Sequence, residues 1–190
     1  MNNCYLDAEA VITFFRMTGR KHIFITGSRG SGKSHLVNNM LKYMSDSFNL
    51  LQSHRTDTPQ VVIKSNLVAD NKEFVIGIPR TSGINPVSKG NNMTIIEDGF
   101  INCAIPAIDT HLDTTPERLF VIDELGYLES SCIPFQKAVE KLLDNSHVLA
   151  VIRKQSTEFL NRICNRKDVL VIDIDNTFET LSCIIMASGM

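Results

Sequence analysis

Eight consecutive residues, Gly27-Ser28-Arg29-Gly30-Ser31-Gly32-Lys33-Ser34, have the types and spacing of a phosphate cradle, GxxxxGK followed by a hydroxyl residue. Glycines let successive backbone N–H groups turn inward around an anion, and a helix beginning at the end of the run adds its positive pole. Lys33 has the reach to meet β and γ phosphates, and the Ser34 hydroxyl is a hard oxygen donor suited to Mg²⁺. At average composition the four fixed positions would coincide somewhere in a chain of this size in under about one case in a hundred.

A second constellation follows at Leu119-Phe120-Val121-Ile122-Asp123-Glu124, four apolar residues ending in two acids. At the carboxyl end of a parallel strand beside the cradle, the first acid, Asp123, would stand on the metal side. The second, Glu124, would serve as general base toward the water that attacks a γ phosphate. Charge developing on that phosphate calls for a cation, and Arg29, Arg153 and Arg166 are the candidates. Arg29 lies inside the cradle, Arg153 and Lys154 follow an apolar run, and Arg166 is placed to pair with an acid beneath a sheet.

The elements around these residues agree with that chemistry. His22 to Thr26 is a short apolar run stopped by Gly27, and Leu36, Val37, Met40, Leu41 and Met44 then follow a period of 3.6, which predicts strand, glycine-rich loop, helix. A helix over Asp7 to Met17 is expected, with Asp7 as cap, Gly19 as stop, and Ala10, Phe14 and Met17 with Val11 and Phe15 on its apolar side. Beta-rich runs at Leu119 to Ile122, Val148 to Ile152 and Val169 to Ile174 alternate with helical patterns at Phe135 to Leu143 and Phe159 to Cys164. Such alternation predicts an α/β fold, a mostly parallel central sheet flanked by helices, in one domain over residues 1–190. A hairpin-bearing insertion is expected at about 46–98, with strands at Val61 to Lys64 and Glu73 to Ile78. Phe100, Ala104, Ile108 and Leu112, four apart, suggest a helix that Pro106 kinks or begins, and a last helix is expected from about Thr177 to Ala187.

The segment from Asp123 to Glu129 (DELGYLE), then Phe135, Ala138-Val139, Leu142-Leu143, the run Val148 to Ile152 and Arg166-Lys167-Asp168-Val169, resembles the small nucleoside-triphosphatase family first described from thermophiles. In that family a DEIGxME-like segment leads into a helix carrying a Phe and an Ala-Val pair. Leu125 and Leu128 stand for the usual Ile and Met, no "RxGF" hairpin is evident around Phe74 to Ile78, and Asp175-Asn176-Thr177 stands where the family has an Asn-Arg pair. The resemblance implies a P-loop NTPase fold and Mg²⁺-dependent hydrolysis of nucleoside triphosphates, ATP and GTP among others, with loose base preference. It implies Gly27 to Ser34 as phosphate and metal cradle, Asp123 on Mg²⁺, Glu124 as base, and Glu129 as a motif acid, for which support of the following helix is the structural reading.

Composition narrows the rest. The chain has 190 residues, 19 Lys+Arg against 21 Asp+Glu, and a formal charge of −2, so the basic field of most nucleic-acid binders is missing. Its five cysteines, Cys4, Cys103, Cys132, Cys164 and Cys183, are odd in number and hold no CxxC pair, so buried thiols in a reducing cytoplasm are expected. Apolar runs fall short of a membrane span, no basic leader precedes Asp7, and the five histidines show no ligand spacing. Asn165-Arg166-Lys167-Asp168 superficially resembles a guanine-reading NKxD box but precedes a strand instead of ending one. A small-molecule or nucleoside kinase and a slow nucleotide-dependent switch are the competing functions, separated from hydrolysis by a need for an acceptor or a partner.

Overall fold

The structure, a computed structural model, describes residues 7–44, 47–80 and 93–176. The expected helix over 177–187, Cys4 and Cys183 lie outside the described residues. Helix α1 (Ala8–Thr18) starts on Asp7, whose carboxylate accepts the Glu9 and Ala10 N–H groups, and stops at Gly19 in the left-handed region. Its buried residues are Ala8, Val11 and Ile12, so the apolar side is rotated from the one expected and Met17 is exposed.

Strand β1 (His22–Gly27) runs into the cradle, and α2 (Lys33–Met44) leaves it. Then come β2 (Phe48–Arg55), β3 (Val61–Ser65), β4 (Phe74–Pro79) and β5 (Met93–Ile95). A single turn α3 (Glu97–Gly99), a π-turn (Phe100–Ala104) and α4 (Ile105–Thr114) form one continuous rod. The remainder is β6 (Leu119–Leu125), α5 (Ile133–Asn145), β7 (His147–Arg153), α6 (Glu158–Cys164) and β8 (Val169–Asp173).

These strands make one sheet in the order β5-β4-β3-β2-β6-β7-β1-β8. From β2 to β8 every pairing is parallel, whereas β2-β3, β3-β4 and β4-β5 are antiparallel. The 46–98 segment is therefore more than an inserted hairpin: its first strand pairs with β6 and is part of the parallel sheet. The reason it escapes a reading of the sequence is that Phe48 to Arg55 carries few apolar residues, and its polar second half runs to the carboxyl end of the sheet.

Alternation along the strands divides the core between the two faces. Ile23, Ile25, Val121, Leu149, Val151 and Ile172 pack under α1 and α2, while Phe24, Phe120, Ile122, Val148, Ala150 and Ile152 pack under α4, α5 and α6. The four-residue spacing of Phe100, Ala104 and Ile108 is that of an underwound helix. The π-turn ends just before Pro106, whose ring cannot donate and crowds the preceding turn, so a widened turn relieves both problems.

Candidate active site

All the parallel strands end on one side, so the sequence-selected residues at the ends of β1, β6 and β7 meet at one edge of the sheet. The cradle leaves β1 at Gly27, which has φ +154°, and a Cβ there would stand 2.7 Å from Ile174 Cγ1 and 2.9 Å from Ser31 Oγ. Gly30 (φ 77°) and Gly32 (φ 93°) complete a turn that other residues rarely adopt. The first helical bond of α2 is Leu36 N–H to Gly32 O at 2.9 Å, so the amides of the preceding turn are the unsatisfied donors that a helix offers an anion. Lys33 Nζ donates to the carbonyls of Gly27 (2.9 Å) and Ser28 (2.7 Å), and Ser31 Oγ donates to Ser28 O at 2.7 Å.

An open cleft of about 930 Å³ lies over this loop, lined by Gly27, Ser28, Arg29, Gly30, Gly32, Lys33 and Ser34 with Glu124, Arg153 and Arg55. Ser31, the remaining cradle residue, is half-buried beneath the loop. Glu124 owes its place to an irregularity in β6: Asp123 pairs with Val151 and Leu125 with Ile152, so Glu124 bulges from the ladder toward the cleft. Its carboxylate meets Arg153 Nε at 2.5 Å, and the Arg153 guanidinium lies 6.0 Å from the centre of the Tyr127 ring. Arg153 is the last residue of β7, not the first one after it.

Asp123 is half-buried, and burial raises its carboxyl above the usual range, while a hydrogen bond from the Gln52 side chain lowers it, the like charge of Glu124 raises it and the Lys33 ammonium lowers it. Gln52 faces Asp123 across the β2-β6 register. The Ser34 hydroxyl and the Asp123 carboxylate are hard oxygen donors of the kind Mg²⁺ takes beside substrate phosphates. Among the described residues no group of three or more His, Cys, Asp or Glu forms a cation cage.

The three arginines part company in the fold. Arg29 is exposed on the cleft and Arg153 faces Glu124, but Arg166 pairs with Asp168 (2.8 Å) and Asp144 (2.9 Å) just before β8, at the opposite end of the sheet. That position removes Arg166 as a phosphate contact, and the NKxD-like run around it with it. Lys154 is tied to Asp173 (2.9 Å) and Asp175 (3.0 Å). The Asp175 carboxylate accepts both Ser28 N–H (2.8 Å) and Ser28 Oγ–H (2.7 Å), and these bonds, with Lys154, hold it down at about 2.

Glu129 Oε2 accepts the Gly126 N–H at 2.9 Å, fixing the turn that precedes it, and the side chain is buried. Gln52, Arg55, Tyr127 and Asp175 are among the residues of the cleft and its surroundings that spacing did not single out. The first two carried no local signal, because β2 is polar in its second half, and for Asp175 the signal was the place where the family's Asn-Arg pair is missing.

A glycine-rich loop between a buried parallel strand and a helix, facing an Asp-Glu pair at the end of a neighbouring strand, defines the P-loop NTPase fold. The NTPase family profile matches residues 22–181, so the chain belongs to that family and is a nucleoside-triphosphatase enzyme. It is 26% identical over 155 residues to nucleoside-triphosphatase THEP1 of Thermotoga sp. (strain RQ2), covering 80% of this chain and 86% of the relative. The THEP1 of Thermotoga maritima is 23% identical over 154 residues, again covering 80% of this chain and 86% of the relative. The fold is similar to the crystal structure of THEP1 from the hyperthermophile Aquifex aeolicus, with a TM-score of 0.63, 18% identity, and 87% of this chain and 98% of that chain covered. It is also similar to the solution structure of a human cancer-related nucleoside triphosphatase, with a TM-score of 0.59, 20% identity, and 88% and 97% covered.

Proposed function

We propose that the enzyme hydrolyses nucleoside 5'-triphosphates to diphosphate and phosphate, with Mg²⁺ and with broad base preference. The observation that carries this reading is the convergence of Lys33, Glu124 and Arg153 on one cleft over the cradle. The amides from Gly30 to Ser34 cradle the β and γ phosphates, and Lys33 exchanges the carbonyls of Gly27 and Ser28 for phosphate oxygens. Glu124 takes a proton from the attacking water, the water oxygen bonds to the γ phosphorus, and the bond to the bridging oxygen breaks, leaving the diphosphate. Arg153 sits on the Glu124 carboxylate and is placed to move onto the γ phosphate as charge develops there, with Arg29 on the other side of the cleft. Ser34 and Asp123 would hold Mg²⁺, which when bound supplies charge neutralisation between the phosphates.

The test is phosphate release from ATP, GTP, CTP and UTP, each with Mg²⁺, for the wild type, Glu124→Gln and Lys33→Ala. Release from several triphosphates, lost by roughly 10²-fold or more in Glu124→Gln while nucleotide still binds, is the expected result, and Lys33→Ala should lose binding or turnover. Full turnover by Glu124→Gln would remove Glu124 as the base. Release only when a small-molecule acceptor or a protein partner is added would replace hydrolysis with a kinase or a switch.

A further inference from the structure

We infer that Glu129 is a positioning residue for Arg153, holding from beneath the arginine that faces Glu124; this rests on the triphosphatase reading above. Three observations place it there. Glu129 is only 5% exposed, yet among the described residues it carries no direct ion pair: Oε2 accepts Gly126 N–H at 2.9 Å, and the residue's own backbone N–H also hydrogen-bonds the carboxylate. Gly126 forms the floor on which the arginine lies, since a Cβ added there would stand 3.1 Å from Arg153 Cδ and 3.5 Å from Glu129 Oε2. The Glu124–Arg153 pair also lines a small cavity of about 40 Å³, together with Tyr127, Glu129, Arg55 and Ser53 among others.

Arg153 therefore lies between two carboxylates of different character. Glu124 is at the cleft, and in the proposed reaction it releases the guanidinium when a triphosphate arrives. Glu129 is fixed in the turn and stays. Its charge keeps a negative potential under Arg153 at the moment Glu124 is engaged with water, so the arginine remains at the sheet edge, where the γ phosphate is to lie.

Burial raises the Glu129 carboxyl to about 7, with its two backbone hydrogen bonds and Arg153 pulling it down and Glu124 pushing it up. The titratable and charged groups that face it are Glu124 on β6, Tyr127 in the turn, Arg153 on β7 and Arg55 on β2. A carboxyl raised in this way is neutral at acid pH and becomes charged as the pH rises through about 7, so Arg153 is held best above that point.

The experiment compares full-length wild type and Glu129→Gln, whose amide oxygen can still accept Gly126 N–H, in steady-state ATP turnover from about pH 5.5 to about pH 9. Wild-type kcat should rise through about pH 7. Glu129→Gln should lose that rise and fall roughly 10-fold in kcat at the alkaline end, with KM within about twofold, a split that mere loosening of the fold would not produce. A variant with the wild-type pH profile and kcat would overturn the inference. A second measurement needs no turnover: the Glu129 carboxyl is titrated by ¹³C NMR in nucleotide-free wild type and in Arg153→Gln, where loss of the cation should move its midpoint upward. An unchanged midpoint refutes the coupling even if Glu129→Gln fails to fold. Absence of any triphosphate turnover in the wild type would instead strike the triphosphatase reading, leaving the NMR titration to decide the Glu129–Arg153 contact.

Discussion

His22 opens β1 at the end of the sheet remote from the cleft, and it gives a stability prediction whose size follows from its surroundings. The side chain is fully buried, and among the described residues neither ring nitrogen has a hydrogen-bond partner; Asp168 Oδ2 stands 3.5 Å from Nε2. Burial lowers the imidazole from 6.5 to about 4, Asp168 opposing and Lys21, Arg166 and His147 adding to the fall. A histidine lowered in the folded state binds its proton more readily when unfolded, so its contribution to stability is complete at neutral pH. That contribution is lost as the pH falls through about 6.5 toward about 4. At about 1.4 kcal/mol per unit, the loss between pH 8 and pH 5 comes to about 2 kcal/mol, approaching about 3 kcal/mol at pH 4. Replacing the ring by His22→Leu removes this titration and leaves His111 and the carboxylates in place. Urea unfolding of both proteins at pH 8 and pH 5 should therefore show the stability gap between variant and wild type shifting in the variant's favour by about 2 kcal/mol. Parallel losses, with the gap moving by less than about 0.5 kcal/mol, would refute the reasoning, because they would mean the ring takes its proton equally well in both states.

Two further substitutions probe close approaches in the fold. Gly126→Ala should push a methyl group against the Arg153 stem, 3.1 Å away, and displace the guanidinium by a few tenths of an ångström; kcat should fall roughly 10-fold with the thermal midpoint little changed, as phosphate release and calorimetry would read. Gly99→Ala is a stability test, since its Cβ would stand 2.3 Å from the Val75 carbonyl oxygen and 2.7 Å from Ile76 Cγ2. Backbone cannot yield as a side chain can, so about 2 kcal/mol of destabilisation is expected, lowering Tm by roughly 4–8 °C.

The sequence by itself determined the parts of this protein whose requirements are local. A phosphate loop needs its glycines, lysine and hydroxyl within eight residues, and the strand before it and the helix after it are read from their own periodicities, so Gly27 to Ser34 stands where the motif said it would. The same holds for β6, β7 and β8 and the helices between them, whose apolar runs are continuous because both faces of the sheet are covered.

What only the tertiary structure decided depends on pairings between distant residues. Strand β2 is polar in its second half and is held in the parallel sheet by β6, about seventy residues further along, so neither it, nor Gln52 facing Asp123, nor Arg55 at the cleft carries a local signal. The choice among the three arginines was likewise not written in their spacing. Arg153 closes β7 whereas Arg166 precedes β8, and because these strands run in the same direction the two residues lie at opposite ends of the sheet, one beside Glu124 and the other beside Asp144 and Asp168. Glu129 is the sharpest case: its sequence shows an acid at the end of a motif, whereas its burial, its hold on Gly126 and its place beneath Arg153 come from the packing of β6, β7 and the turn between β6 and α5. Desolvation is a property of the whole surroundings of a group, and no short stretch of sequence contains it.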